Sequence, residues 1–222
     1  MELFSTELIL LSAIGLGLAH ALDADHVMAV TGLFSGAPGF KTRLAFSMRW
    51  AIGHGMALCT IASLVIFFKA SIPFKLSEVA ESLVGLVLVL IGAGVFWQIF
   101  RSPVKLSIHQ HGDYPAHIHW HDKQQPQYHG HTATLVGMLH GMAGSAPFLV
   151  LVPISDMGAT QAYGYVVIFS LGVVLSMLIF GGLLGKGYTL IGRLSERLIT
   201  MTRIVVATVS IGFGTRLLYD LM

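Results

Sequence analysis

Six stretches of the chain are apolar for long enough to cross a bilayer, and polar segments separate them. A helix needs about 20 residues to span roughly 30 Å of hydrocarbon. The pattern predicts spans near 7–34, 44–68, 79–101, 132–155, 161–185 and 199–219. Runs such as Leu83–Phe100 are apolar on all sides, without the alternation of a membrane β-strand. The first run opens with Glu2 and Glu7 rather than bases, and it reads as a span rather than a cleaved leader. An all-α polytopic membrane protein is therefore expected.

Composition narrows the picture. Charged residues are 11% of the 222 positions, where a soluble domain carries about 25%. Mean hydropathy is +0.76. So few charges cannot solvate the surface of a water-soluble core, which excludes a cytosolic enzyme and a nucleic-acid binder and makes membrane lipid the surrounding partner. The single cysteine, Cys59, excludes thiol-redox chemistry.

The charges also orient the chain. With six spans, one side receives Lys69, Lys75 and Arg216. The other receives Lys41, Arg43, Arg49, Arg101, Lys105, Lys123, Lys186, Arg193, Arg197 and Arg203. The basic side faces the cytoplasm, which puts both termini outside and segment 102–131 inside a bacterial-type cytoplasmic (inner) membrane. Arg49 and Arg203 start about a turn within their apolar runs and are placed to snorkel outward.

A faint repeat divides the chain. His140 aligns with His20, Ser145 with Asp25, Ala146 with His26, and Gly172 with Gly53. Two halves of three spans each must insert with opposite orientation, as in many secondary transporters. The expected organisation is a first three-helix repeat over 1–101, a cytoplasmic loop over 102–131 and a second repeat over 132–222. Gly137-xxx-Gly141 and Gly181-xxx-Gly185 suit close helix approach.

Of eleven acids, only Asp23 and Asp25 fall in the middle of a span, and His20 and His26 bracket them. A carboxylate at that depth costs at least about 2.5 kcal/mol and needs a partner or a water-filled cavity. On a regular helix Asp23 lies about 60° from His20 and Asp25 about 140°, while His20 and His26 are separated by roughly 9 Å of rise. The four cannot converge unless the helix breaks or some of them only support the others. Broken helices are how transporters assemble ion sites, and a local break is favoured. His54, between Gly53 and Gly55, and His140 add two more imidazoles within apolar spans. The candidate metal ligands are therefore His20, Asp23, Asp25, His26, His54 and His140. Imidazole with carboxylate suits Ni²⁺, Co²⁺, Zn²⁺ or Mn²⁺.

Residues 20–26, His-Ala-Leu-Asp-Ala-Asp-His, fit the H-x4-D-H signature of the nickel/cobalt transporter family (NiCoT), including its H-A-x-D-A-D-H form. Gly53-His54 resembles the start of that family's second motif. The segment around His140-Gly141-Met142-Ala143-Gly144-Ser145 looks like the matching helix of its short urease-accessory-type relatives. The resemblance implies that His20, Asp25 and His26 bind metal and are essential to transport, with Asp23 and His54 contributing. The chain departs from the longer members in having six spans rather than eight, Gly55 where they have serine, and no later acidic motif.

A second histidine group lies in the loop. His109, His111, His117, His119, His121, His129 and His131 fall within 109–131. This tract reads as an accessory chelator, flexible because Pro103, Pro115 and Pro126 oppose a folded domain. The segment 186–198 reads as a connection holding at most a short interfacial helix.

The expected function is secondary transport of Ni²⁺ and/or Co²⁺, import favoured, with efflux by the same fold as the alternative. From another class, the buried histidines could ligate haem in a membrane cytochrome, although acids beside them would not help a haem. The chain is not expected to be an enzyme. Neither a Walker motif nor a His-Glu-x-x-His metalloprotease motif is present. No permanent cofactor is expected, only the transported ion. A second copy of the chain and a cytoplasmic metal carrier are admissible partners.

Overall fold

The structure, a computed structural model, describes residues 2–34, 39–68, 74–101, 106–109, 117–120, 130–143 and 157–220. The described helices are α1 (Glu2–His20), α2 (Ala24–Phe34), α3 (Phe40–Phe68), α4 (Phe74–Arg101), α5 (Gly130–Met142), α6 (Ala159–Leu194) and α7 (Glu196–Asp220). Among the described residues, four segments are long and apolar enough to cross a membrane alone: Phe40–Phe67, Glu78–Arg101, Ala159–Ile191 and Arg197–Asp220. The protein is a helical, multi-pass membrane protein. The second half of the predicted span 132–155 lies outside the described residues from 144 onward.

The first span is broken as its chemistry requires. Leu8–His20 and Ala24–Leu33 meet at 53°. The last turn of α1 tightens, with Leu22 N–H donating to Ala19 O (2.9 Å) and Asp23 N–H to His20 O (3.0 Å). Val27 N–H then donates to Asp23 O and α2 begins. Neither proline nor glycine lies at the break. In α5, Ala143 N–H likewise donates to His140 O at the end of the helix.

Two expectations need correction. Segment 186–198 is not a connection, because α6 continues to Leu194 and α7 starts at Glu196. The turn is Ser195 alone, in an extended conformation, its N–H donating to Ile191 O and its Oγ accepting from Arg197 N–H. The extra turns hold because Arg43 docks on them, donating from Nη1 to Gly185 O (3.2 Å) and lying over the Tyr188 ring. Arg203 does not snorkel either. It is 7% exposed and donates from Nη2 to Gln98 Oε1 at 2.9 Å.

The loop carries some order. Strands β1 (Leu106–His109) and β2 (His117–Trp120) pair antiparallel, with His109 opposite His117 and Ser107 opposite His119. The His-x-His alternation has the period of a strand, a signal the prolines had masked. His111, His121 and His129 lie outside the described residues, and His131 is exposed on the first turn of α5.

The bundle is held by glycine seams. Helix α3 packs on α5 and α6, α1 on α6, and α4 on α7. A Cβ at Gly17 would strike Phe169 O, one at Gly137 would strike Trp50 O, and one at Gly53 would strike Thr134 O. At Gly172 it would come within 2.6 Å of Ile14 O. Between α4 and α7, Gly85 and Gly92 approach Gly214 O and Ala207 O in the same way. Apolar side chains point outward all around, among them Leu11, Phe67, Leu90, Trp97, Leu171 and Val205, as a lipid-facing surface requires.

Candidate metal centre

The break gathers the histidines that a continuous helix would hold apart. His20 ends α1, His26 sits in the first turn of α2, and His54 is midway along α3. One ring nitrogen from each lies within 4.8 Å of the others, and all three side chains are buried. The ring centroids are 4.6 Å apart for His20 and His26, 5.4 Å for His20 and His54, and 5.2 Å for His26 and His54. Donors this close can share one ion. His140, fully buried, stands beside them with its ring 5.4 Å from that of His26.

The carboxylates stand behind the imidazoles. His20 Nδ1 pairs with Asp23 Oδ2 at 2.9 Å, and His26 Nδ1 with Asp25 Oδ1 at 2.9 Å. Each acid thereby fixes a tautomer with hydrogen on Nδ1 and a lone pair on Nε2, the arrangement that orients metal-ligating histidines. His140 Nδ1 donates to Val136 O at 2.8 Å, which leaves its Nε2 as the acceptor. The structure thus brings the six sequence candidates into one region while dividing them: His20, His26 and His54 converge, His140 adjoins, and Asp23 and Asp25 orient.

Unpaired nitrogens mark the interior. His26 Nε2, both nitrogens of His54, and His140 Nε2 are buried without a hydrogen-bond partner. Leaving such a group unpaired costs about 1–3 kcal/mol each, so the cluster is unfavourable until something accepts its lone pairs. The C-terminal end of α1 adds its negative partial charge at His20. A divalent cation satisfies both.

Glycines set His54 in place. Without a side chain at Gly53, α3 can lie against the Thr134 carbonyl. Gly55 faces Ser170 at van der Waals distance, and Gly141 lets α5 approach the His54 carbonyl.

Sequence reasoning missed the aromatic walls. Trp50, fully buried, stacks on His54 at 5.4 Å and meets His26 edge-on at 4.9 Å. Phe169 closes the side of His20 at 5.6 Å. Trp50 lies four residues before His54, so helical spacing alone could have placed it on the same face. Phe169 has no local signal, since only tertiary packing brings α6 to α1. An acid was missed as well: Glu81 of α4 lines a cavity of about 320 Å³ together with His20, Asp23, Asp25 and His26.

UreH, a urease accessory protein of Bacillus sp. (strain TB-90), is 29% identical to the chain over 209 residues, covering 93% of this chain and 88% of its own. The chain is thus similar along nearly its whole length to a protein of the short urease-accessory type. No family profile matches the chain, and no solved structure matches it.

Proposed function

We propose that the protein is a secondary transporter of Ni²⁺ and/or Co²⁺ in a bacterial-type cytoplasmic membrane, working as an importer. One observation carries the reading: three buried imidazoles, from two sides of a helix break and from α3, offer ligand atoms within 4.8 Å of one another. Likeness to a urease accessory protein supports it, urease being a nickel enzyme in general chemistry. His20, His26 and His54 replace water around the ion, His140 is the adjoining donor, and Asp23 and Asp25 hold tautomers and offset charge. Imidazole rings 4.6 to 5.4 Å apart, with Trp50 stacked on His54, favour a single ion over a haem held between two histidines.

Paired contacts support the inverted repeat. Gly17 on Phe169 corresponds to Gly137 on Trp50, and Gly172 on Ile14 to Gly53 on Thr134. Gly17 and Gly137, like Ile14 and Thr134, are related by the offset that aligns His20 with His140, and Trp50 and Phe169 by the offset, one position shorter, that aligns Gly53 with Gly172. The Gly85–Gly214 approach maps in the same way onto Ala207–Gly92. Two such halves rocking about a shared site give alternating access. The membrane potential can drive import, because two charges crossing 100 mV are worth about 4.6 kcal/mol, roughly three decades of concentration.

Radiolabelled Ni²⁺ and Co²⁺ flux into proteoliposomes of known orientation, with and without an imposed potential, tests the reading. Flux of either ion that is accelerated by an inside-negative potential and lost in His26→Ala is the expected result. Movement of neither ion refutes it.

A further inference from the structure

The cavity beside the imidazoles has one polar wall that belongs to no motif in the sequence. Glu81 lies in the first turn of the apolar stretch Glu78–Arg101 and is partly buried. It shares the lining with His20, Asp23, Asp25 and His26, while Phe213 and Leu217 near the end of α7 and Val84 supply the apolar side. Three carboxylates and two imidazoles thus face one space, with no lysine or arginine among the described residues that line it. Within it, His26 is 1% exposed and its Nε2 has no hydrogen-bond partner. That orphaned lone pair points to a cationic ligand independently of the acids.

The opposite end of the same helix pair is built differently. The offset that relates Gly92 to Gly214 and Gly85 to Ala207 places Arg203 where the first repeat has Glu81. Arg203 is buried and bonded to Gln98. The α4–α7 pair therefore carries an acid at the end where both chain termini lie outside and a base at the cytoplasmic end.

We propose that Glu81 is the capture residue of the outer mouth, holding the hydrated divalent cation before His20, His26 and His54 strip its water. This assignment rests on the transport reading above. A cleft lined by one sign of charge with low-dielectric walls concentrates the opposite ion, and Glu81 extends the charge of Asp23 and Asp25 toward the solution. Its role is in reaching the site, so it sets the concentration at which transport saturates rather than the rate once loaded.

The test is flux of Ni²⁺ and Co²⁺ over a concentration series for wild type, E81D, E81Q and E81K, each verified as monodisperse in detergent. E81Q is expected to raise half-saturation about three- to tenfold with little change in maximal rate, and E81K to raise it further. E81D stays near wild type. The gap between wild type and E81Q shrinks at high ionic strength, because salt screens a charge at an aqueous mouth. Equal half-saturation in wild type and E81Q overturns the proposal, as does a gap that E81D shares and salt leaves unchanged, which is a packing effect. Co²⁺ titration of detergent-solubilised protein, read by its visible absorption, separates the two levels of failure. If wild type binds Co²⁺ while E81Q leaves half-saturation for flux unchanged, the assignment of Glu81 falls alone; if wild type binds no Co²⁺, the transport reading falls with it.

Discussion

Asp25 reaches His26 through Nδ1 at 2.9 Å, and Asp23 reaches His20 in the same way, so an acid and its histidine make unequal contributions. On the proposed reading, removing an imidazole deletes a ligand, whereas converting the acid to its amide keeps an acceptor for Nδ1–H and removes only charge and basicity. Losing such an outer partner typically costs about 10–100-fold in metal affinity. Asp25→Asn should therefore weaken Co²⁺ binding by about that factor and leave measurable flux at high metal, while His20→Ala, His26→Ala and His54→Ala abolish it. Asp23, 44% exposed against 21% for Asp25, should show the smaller effect of the two amide changes. Co²⁺ titration and flux on the same preparations check the order, and Asp25→Asn behaving like His26→Ala would make Asp25 a direct ligand. The histidines and acids of the first span were legible because membrane interiors hold few such groups. Glu81 was not, because it sits where a helix end normally meets water and looks like ordinary solvated charge. Only the cavity reveals which way it faces.

At the scale of elements, the break between α1 and α2 followed from a geometrical conflict within seven residues. The end of α6 did not, because Lys186, Arg193 and Arg197 read as the charges of a connecting loop. Arg43, distant in sequence, bonds to Gly185 and stacks on Tyr188, and a contact of that range has no local pattern. Glycine roles were legible only as a class. Gly53 and Gly137 sit on backbone carbonyls of the facing helix, whereas a Cβ at Gly94 meets nothing within 4 Å. Backbone cannot move aside as a side chain can, so Gly53→Ala and Gly137→Ala should each destabilise the bundle by about 1–3 kcal/mol. Gly94→Ala should be neutral or stabilising by up to about 1 kcal/mol, since alanine favours the helix. Thermal melting in one detergent compares the three. The loop invites a different substitution. Deleting 109–131 would cut into α5, which begins at Gly130, so replacing His109, His111, His117, His119, His121 and His129 by asparagine is the cleaner change. Apparent affinity or regulation should shift while flux persists, and complete loss of flux would move the loop from accessory to essential.

The whole molecule joins two chemically unlike halves through like contacts. On the proposed repeat, the first half supplies Asp23, Asp25, His26 and His54, while the positions aligned with the first three in the second are Ala143, Ser145 and Ala146, which would set one asymmetric site between nearly symmetric supports. The ends differ too. The cavity reaches Glu81 on one side, and on the other the Arg203–Gln98 bond ties α7 to α4 while Arg43 ties α3 to α6. Under the proposed transport reading, with segment 102–131 cytoplasmic, these arginine contacts bridge helices at the cytoplasmic end and are expected to hold a conformation whose cavity faces outward. Breaking one should shift the population inward. A ligand's apparent affinity falls by the fraction of molecules in the competent state, so Gln98→Ala should raise half-saturation for metal supplied outside. Access from the cytoplasmic side should rise in step, read as faster labelling of a cysteine placed at that end. The change differs from that of E81Q in two ways: it should not depend on ionic strength, and saturating outside metal should slow the labelling by drawing the protein back to the outward state. Half-saturation that rises with no change in labelling would show that the Arg203–Gln98 bond supports the fold without acting as a latch.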